Sequence, residues 1–490
     1  MLKRKRVVDG QGHLRALVSA GRNCHRKDSA ARGRKLGEKV KLKLLHPNNG
    51  LLAEAPTHAT WPRMPDPERK RKAHLVSLYD WRCHAAPVQF GGGRARIKME
   101  RPSRLRAAIE VIEEVQREPG KRGRHRIESL GGATGADSAS KRWVPAISTD
   151  EEESALAVVK TCHSSRYVAS VRARALAARE DETLKLSEES DTLVSRASWV
   201  SALAAVSVSM RAVDEVARGG ARQRSFAAVR PPGHHAGYSG ETSEVSGNGF
   251  CLFNNVACAA KYAVAAHGFS HVAVLDFDVH HGNGTEDILC PPGIGVGDML
   301  DDSAHAQEPV QGEGKMAGGR FLYISLHAHD EENVFPSTGA ARDSPGSLNL
   351  PMRRKFRAAE AMRMLDTHIA PKLGAFFSGK PGSARGDGGE AARPLLIISA
   401  GFDAHRGDPT RLGDLSAEDF GGITARVLEL ADELCEGQVV SILEGGYGAD
   451  CDEEGFGRFK IERRRSPAPA SGPKPDFKGC LEAHLRALSS

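Results

Sequence analysis

Five segments of the chain are nearly unbroken runs of apolar residues, and each run ends in a loop rich in glycine and polar residues. They are residues 226–237 (FAAVRPPGHHAG), 274–284 (VLDFDVHHGNG), 321–330 (FLYISLHAHD), 395–409 (LLIISAGFDAHRGDP) and 439–448 (VVSILEGGYG). Apolar runs without polar alternation are typical of parallel strands that are covered on both faces. The runs therefore predict buried strands, each followed by a loop at its carboxyl end.

Helix-like patterns lie between several of these runs. Residues 254–267 (NNVACAAKYAVAAH) are one candidate helix. Strands that alternate with helices predict an α/β fold, and in open parallel sheets the working residues collect beyond the carboxyl ends of the strands. We therefore predict a single open, mostly parallel β-sheet with helices on both faces and an active site at that edge.

Potential metal ligands follow two of the runs. Asp278 and His280 stand two residues apart after one run, and Asp403 follows another. Because side chains two apart on an extended chain point the same way, we expect Asp276, Asp278 and His280 to share a face. Two carboxylates and one imidazole leave one position of a tetrahedral Zn²⁺ open, which is typical of catalytic rather than structural zinc.

Groups suited to proton transfer lie after the other runs. Imidazoles titrate near neutral pH, so His234 and His235 suit removal of a proton from water and its delivery to a leaving amine. A catalytic histidine needs its other ring nitrogen held, and Asp276 and Asn283 are the predicted orienting partners. Tyr447, in a glycine-rich loop, can donate a hydrogen bond to an oxyanion. The residues together predict metal-assisted hydrolysis of an amide.

Six motifs, in this order, resemble the zinc-dependent histone deacetylase family, including its bacterial acetylpolyamine amidohydrolase relatives. They are RPPGHHAG, GFCLFNN, DFDVHHGNGTED, SLHAHD with FPSTG, SAGFDAHRGDP and LEGGYG. Residues 100–112, 162–172 and 477–488 are similar to helices of that family, so the resemblance covers about residues 75–488 with interruptions. It implies the arginase/deacetylase α/β fold and hydrolysis of an N-acetylated amine, typically acetyl-lysine in a protein, to acetate and free lysine.

The resemblance also implies roles for individual residues. It places zinc on Asp278, His280 and Asp403, and proton transfer and oxyanion binding on the two histidines and the tyrosine named above. It implies a substrate channel whose walls are the aromatic rings of Phe250 and Phe335. It also implies that the backbone carbonyl of Gly249 meets the substrate amide and that Ser165 lies at the rim. A structural potassium ion is implied on oxygens of Asp276, Asp278, His280, Ser325 and Leu326.

Within the family, the chain resembles class II members. RPPGHHA occurs together with HHGNG, in which Asn283 stands where class I members carry Asp. Tyr447 is kept, whereas one subgroup that is weak on acetyl-lysine carries His there. Thr410 stands where polyamine-specific members carry a glutamate, so a dedicated polyamine enzyme is less favoured.

Two positions depart from the family pattern. Lys98–Met99 replaces the usual His-Pro before Glu100, and Val334 stands where an aromatic residue is common. The first departure concerns the loop that precedes the first helix, and the second concerns the rim of the channel.

Charge is unevenly distributed along the chain. Residues 1–60 contain 14 Lys and Arg against 4 Asp and Glu, an excess of 10, so a net charge of +7 leaves about −3 for the rest. We predict a basic, disordered arm at residues 1–74 and a catalytic domain at 75–490, with flexible insertions near 117–142, 290–319, 378–393 and 449–475. The arm suits contact with nucleic acid or nuclear import, and organelle targeting is the alternative.

Composition limits the cellular setting. Nine scattered cysteines without a CxxC pair indicate reduced thiols in the nucleus, cytosol or an organelle matrix. No apolar run reaches the roughly 18 residues of a membrane span, and the N-terminus lacks the apolar core of a secretory signal. We therefore expect no membrane partner.

Three functional classes remain open. The first is a zinc amidohydrolase acting on acetylated proteins such as histones. The second is an amidohydrolase of acetylated polyamines or other small amides. The third is a non-catalytic acyl-lysine binding scaffold within a corepressor complex, which we would expect to have lost a metal ligand or the tyrosine. All of those groups are present here, which favours an enzyme.

Overall fold

The structure is a computed structural model that describes most of residues 74–490. The described ranges are 74–87, 89–91, 97–121, 124–130, 146–180, 182–220, 223–242, 247–290, 321–330, 334–378, 393–447 and 474–490. The predicted basic arm lies outside these residues, apart from His74, as do almost all of the insertions predicted near 290–319, 378–393 and 449–475. None of the helices in the described part is both long and apolar enough to cross a bilayer.

Thirteen strands occur among the described residues. They are β1 (His74–Asp80), β2 (Phe90–Gly91), β3 (Ile97–Lys98), β4 (His125–Leu130), β5 (Leu184–Lys185), β6 (Leu193–Val194), β7 (Gln223–Ala228), β8 (His271–Asp276), β9 (Phe321–Ala328), β10 (Arg342–Asp343), β11 (Ser347–Met352), β12 (Pro394–Ala400) and β13 (Val439–Leu443). Nine of them form one open sheet in the order β10-β11-β9-β8-β12-β13-β7-β1-β4. Every neighbouring pair in this sheet is parallel except β10 with β11.

Ten α-helices accompany the strands in the described part of the chain. They are α1 (Pro102–Arg117), α2 (Thr149–Cys162), α3 (Ser165–Ala177), α4 (Ser198–Arg218), α5 (Asn255–His267), α6 (Asn283–Leu289), α7 (Ala358–Met364), α8 (Ala370–Ser378), α9 (Ala417–Leu434) and α10 (Phe477–Leu488). Helix α4 packs against β1, β7 and β13, and α5 packs against β8 and β12. Because all five residues of β13 are buried, both faces of the sheet are covered there. The predicted open, mostly parallel α/β sheet is confirmed.

The helix predicted at residues 254–267 is confirmed as α5. The side chain of Asn254 accepts a hydrogen bond from the backbone N–H of Ala257 and so caps the first turn. The helix ends at Gly268, whose φ of 66° is the left-handed conformation that glycine adopts easily. Helices α1, α3 and α10 likewise fall in the three segments that resemble family helices.

The prediction of a loop without regular structure at residues 117–142 is wrong in part. Residues 125–130 (HRIESL) form β4, which pairs in parallel with β1 at one edge of the sheet. An edge strand has one strand neighbour, so it can carry charged residues that an interior strand excludes. Arg126 forms an ion pair with Glu215, and Glu128 forms one with Arg211. Because of these charged residues, β4 is not an apolar run and its sequence does not predict a strand.

A buried carboxylate links three loops below the functional edge of the sheet. The two oxygens of Glu100 each lie 2.5 Å from a guanidinium nitrogen of Arg230, and Arg104 Nη1 lies 3.1 Å from Glu100 Oε1. Arg104 also donates to the carbonyl oxygens of residues 444–446, at 2.6–3.0 Å. Burial raises the pKa of Glu100, but the two arginines outweigh it and the pKa is lowered. Glu100 is therefore ionised and paired in the folded state.

We predict that replacing Glu100 with Ala will lower the free energy of unfolding by about 3–5 kcal/mol, because two guanidinium groups stay buried without their carboxylate. Denaturant unfolding monitored by circular dichroism measures this. The matched control is Glu113→Ala, which breaks a pair with Arg117 whose side chains are 44% and 64% exposed. That change is expected to cost less than about 1 kcal/mol. Equal losses in the two variants would contradict the importance of the buried pair.

Candidate active site

Five neighbouring strands, β7, β13, β12, β8 and β9, direct their carboxyl ends to one edge of the sheet. Parallel strands bring residues that are remote in sequence to the same edge, as the sequence analysis expected. The side chains that follow or end these strands there are His234, His235, Tyr447, Asp403, Asp276, Asp278 and His280.

The local geometry after β8 differs from the prediction. The strand ends at Asp276, and residues 278–280 lie in a bend, so the expected extended alternation from Asp276 to His280 is wrong. Asp278 Oδ1 accepts a hydrogen bond from the backbone N–H of His280 at 2.9 Å, and this turn brings His280 Nδ1 within 3.0 Å of the same oxygen. The two side chains still converge, but through a turn. Asp276 lies instead beside His234.

Asp278, His280 and Asp403 form a candidate metal centre. Their ligand atoms all lie within 4.8 Å of one another, and His280 Nδ1 is 3.0 Å from both Asp278 Oδ1 and Asp403 Oδ2. In a tetrahedral zinc site with bonds of about 2.0–2.2 Å, neighbouring ligand atoms are roughly 3.3–3.6 Å apart. Asp403 Oδ2 is buried and has no hydrogen-bond donor of suitable geometry among the described residues. The donor set therefore fits one small divalent cation.

Two glycines allow the carboxylates to approach each other. Gly445 donates its backbone N–H to Asp278 Oδ2 at 2.9 Å. A Cβ atom at Gly445 would lie 2.4 Å from Asp278 Oδ2 and 2.5 Å from Asp403 Oδ2, and one at Gly401 would lie 1.9 Å from Asp278 Oδ2. Any side chain at these positions would displace a candidate ligand.

The electrostatics of this centre call for a positive charge. Burial, together with the charge of Asp278, raises the pKa of Asp403. Burial lowers the pKa of His280, but the carboxylates of Asp403 and Asp278 outweigh it and raise the pKa to about 10. In the protein alone, a protonated imidazole thus balances the two carboxylates. A divalent cation would balance them with His280 neutral, which is the form that binds metals.

His234 and His235 have unlike partners. His234 Nδ1 lies 3.0 Å from Asp276 Oδ2, and His235 Nδ1 lies 2.7 Å from Asn283 Oδ1. The Asn283 amide also donates to the hydroxyl of Thr242 at 3.0 Å, which fixes its orientation. The two ring centroids are 4.0 Å apart. The structure thus brings both orienting partners named from the sequence against the histidines.

The different partners shift the pKa values of the two histidines in opposite directions. Burial lowers the pKa of His234, but the carboxylates of Asp278 and Asp276 outweigh it and raise the pKa to about 10. Burial and the adjacent charges of His234 and His280 lower the pKa of His235 well below its ordinary value. One imidazole is therefore held protonated and the other neutral.

The residues expected to form the channel surround these groups. The ring of Phe335 lies 4.9 Å from the ring of His235, and Phe250 meets Tyr447 edge-on at 6.0 Å. A Cβ at Gly249 would lie 2.3 Å from His235 Cδ2 and 2.9 Å from Phe335 Cε1, so only glycine allows this close approach. The structure thus brings Gly249 and both phenylalanines together beside the histidines.

Asp191 and Thr192, which the sequence analysis missed, hold this wall in place. Asp191 Oδ1 accepts hydrogen bonds from the backbone N–H groups of residues 248 and 249, both at 3.1 Å. The hydroxyl of Thr192 accepts one from the N–H of Phe250 at 2.9 Å. Phe250 has a φ of 73°, an uncommon conformation for a bulky residue that needs such support. The two residues occur in a short polar segment, and nothing in their spacing identified them.

Ser165 does not take part in the contacts that the structure gives around this site. Ser165 is exposed on the first turn of α3. The cap of this helix is the neighbouring Ser164, whose side chain accepts a hydrogen bond from the N–H of Tyr167 at 3.2 Å. Its rim role stays a prediction.

Two further residues missed in the sequence support His234. Glu444 Oε2 accepts from the backbone N–H groups of Gly233 and His234 at 2.7 and 3.2 Å, and the hydroxyl of Tyr323 donates to Asp276 Oδ2 at 3.3 Å.

Of the five residues in the potassium prediction, three lie on two paired strands, and Asp278 and His280 lie in the bend that follows β8. Asp276 of β8 and Ser325 of β9 are register partners, and Leu326 follows on β9. The hydroxyl of Ser325 lies 2.9 Å from His327 Nδ1. Whether potassium binds there stays a prediction.

We predict that Gly445→Ala will weaken zinc binding at least tenfold, because the new methyl group displaces the carboxylates of Asp278 and Asp403. Titration against a competing chelator measures the affinity. The control is Gly422→Ala on the exposed side of α9, where a Cβ meets nothing within 4 Å. This control is expected to keep full zinc affinity and to gain about 0.5–1 kcal/mol of stability. Equal zinc affinity in both variants would contradict the proposed centre.

Comparisons with known proteins agree with this geometry. The chain matches a family profile described as a histone deacetylase domain over residues 98–456. It is 36% identical over 309 residues to "Type-2 histone deacetylase 2" of Dictyostelium discoideum, a match that covers 61% of this chain and 14% of that protein. It is 30% identical over 306 residues to "Histone deacetylase 10, chloroplastic" of Oryza sativa subsp. japonica, covering 61% of this chain and 59% of that protein.

A solved structure shows the same fold. The crystal structure of the HDA15 HD domain superposes with a TM-score of 0.56, at 24% identity, over 85% of this chain and 90% of that one. The family profile spans well over half of the chain, and all of the site residues described above lie within it. The chain therefore belongs to the histone deacetylase family, as a class II-like member.

Proposed function

We propose that the chain hydrolyses acetyl-lysine side chains of proteins, with Zn²⁺ held by Asp278, His280 and Asp403, and releases acetate and free lysine. One observation carries this proposal: the three ligands converge beside two histidines with opposite protonation preferences. Zn²⁺ in such a site acts as a Lewis acid and lowers the pKa of water to about 7. The remaining chemistry belongs to side chains of this chain.

His235 is suited to accept a proton. Because its Nδ1 faces the amide oxygen of Asn283, Nδ1 carries the hydrogen and Nε2 keeps a free lone pair. The lowered pKa keeps this imidazole neutral at pH 7. His235 thus takes the proton that water loses as it attacks the acetyl carbon.

His234 is suited to donate a proton. The carboxylates of Asp278 and Asp276 raise its pKa and so stabilise its imidazolium form, and Asp276 lies 3.0 Å from its Nδ1. His234 thus supplies the positive charge, and the proton, that the departing lysine amine needs.

Tyr447 is suited to bind the oxyanion. Burial and the nearby charge of Asp403 raise the pKa of its hydroxyl well above the ordinary value, so the phenol stays protonated and can donate. Arg104 lies 5.1 Å from the centre of its ring, and the Tyr447 backbone N–H donates to Asp408 at 2.7 Å. These contacts hold the donor in place before substrate arrives, which is the condition for oxyanion stabilisation.

The environment of Thr410 favours acetyl-lysine over acetylated polyamines. Its hydroxyl donates to the carbonyl oxygen of Asp403 at 2.9 Å, and its N–H donates to Asp408 at 2.8 Å. Thr410 therefore supports the metal-binding loop and offers no carboxylate to a second ammonium group of a polyamine.

We further propose acetylated proteins such as histones as substrates, in the nucleus or cytoplasm and within a corepressor complex. The lysines and arginines of residues 1–74 would add salt-sensitive attraction to nucleic acid. The rice relative is named chloroplastic, so import into an organelle is the alternative setting.

The proposed function is tested by offering acetyl-lysine peptides and acetylated polyamines side by side to the purified full chain, with and without a chelator. We expect kcat/KM at least tenfold higher on the peptides, loss of activity with chelator and recovery with added Zn²⁺. Preference for polyamines would instead identify a small-amide hydrolase. Binding of the peptides without turnover would identify a scaffold.

We predict that Asn283→Asp will move the acid limb of the kcat/KM profile to higher pH by about 1–3 units. A carboxylate beside His235 stabilises its charged form and raises its pKa. Because His235 must be neutral to accept a proton, activity is lost as pH falls through that pKa, and a higher pKa causes the loss at higher pH. The alkaline limb, assigned to His234, is the internal control. An unmoved acid limb would contradict the role of His235.

A further inference from the structure

Met99 lies at the wall of the active site. It packs with Phe250 and Tyr447 in a small cluster separate from the main core, and the three residues are 8%, 8% and 5% exposed. Phe250 is expected to wall the substrate channel, and Tyr447 is proposed to donate to the substrate carbonyl oxygen. A side chain that is clustered with these two rings therefore lies beside the acyl group of a bound substrate.

The backbone of Met99 is held firmly. Its N–H donates to the carbonyl oxygen of Gln89 at 3.0 Å, and the N–H of Gln89 donates to the carbonyl oxygen of Glu100 at 2.8 Å. Proline, usual at this position in the family, has no N–H for the first of these bonds. The next residue, Glu100, is fixed by the buried arginines Arg230 and Arg104. The main chain is thus anchored on both sides of Met99.

Gln89, which binds the backbone of Met99, is also linked to the segment that holds Phe250. The side chain of Gln89 bonds both backbone groups of Leu193, donating to its oxygen at 2.8 Å and accepting from its nitrogen at 2.7 Å. The preceding residue, Thr192, holds the N–H of Phe250. Shortening the side chain at position 99 should therefore open space in the wall, because the backbone on either side cannot readily move in to fill it.

We propose that Met99 is a specificity-determining residue that limits the length of the acyl group accepted by this active site. The inference rests on the proposed deacylase function and adds the group that selects among acyl chains. Methionine is unbranched, with a polarisable thioether, and fills irregular gaps next to aromatic rings. Phe250 and Tyr447 are fixed by Thr192 and Arg104, so Met99 is the adjustable member of the cluster.

The test compares kcat/KM for one peptide bearing acetyl-lysine or butyryl-lysine, using the full chain loaded with Zn²⁺. We expect Met99→Ala to raise the butyryl-to-acetyl ratio about tenfold or more, because one methylene in an apolar pocket changes discrimination by roughly 10–200-fold. Met99→Phe should lower the ratio. The matched control is Met210→Ala, a methionine on α4 in the main core that is 9% exposed. It should leave the ratio unchanged.

The outcomes separate this inference from the proposed function. If the wild-type chain hydrolyses the peptides but neither Met99 variant moves the ratio, the role of Met99 is overturned and the proposed function stands. A ratio moved equally by Met210→Ala also overturns it. If the zinc-loaded wild-type chain hydrolyses neither peptide, the proposed function fails and this inference with it. Should Met99→Ala not fold, as judged by its thermal midpoint, the direction of change in Met99→Phe decides.

Discussion

Two buried carboxylates that share one imidazole are the constraint on which the active site depends. Asp278 and Asp403 are fully buried, and each is 3.0 Å from His280 Nδ1. Burying like charges together is unfavourable unless a positive charge balances them. The chain accommodates them with a glycine at 445, whose N–H bonds one carboxylate, and with the N–H of Val279, which bonds the other at 2.9 Å. Backbone N–H groups of the surrounding loops thus stabilise the negative charge of both carboxylates.

A second group of buried charges, Glu100 with Arg230 and Arg104, positions the loops of the site relative to one another. Arg230 begins the loop that carries the two histidines, and Arg104 binds the carbonyl oxygens that precede Tyr447. Both arginines converge on Glu100, which directly follows Met99. The loop of His234 and His235, the loop of Tyr447 and the side chain of Met99 are thus linked by one buried ion cluster. Their geometry is fixed by the fold before any substrate binds.

Much of this arrangement could be predicted from the sequence because parallel strands bring their carboxyl ends to one edge. That rule placed Asp403 beside Asp278 across 125 positions of sequence. The turn at residues 278–280 was missed because a hydrogen bond to Asp278 Oδ1, rather than strand alternation, sets it. Strand β4 escaped notice because an edge strand can be charged. Asp191 was missed because its contacts with residues 248 and 249 arise from tertiary structure alone.

The most direct test of the account is anomalous diffraction at the zinc absorption edge from crystals of the zinc-loaded chain. The account predicts a peak about 2.0–2.2 Å from Asp278, His280 Nδ1 and Asp403, with no second metal beside it. A peak remote from Asp403, or a pair of metals about 3.5–4 Å apart as in two-metal hydrolases, would contradict it.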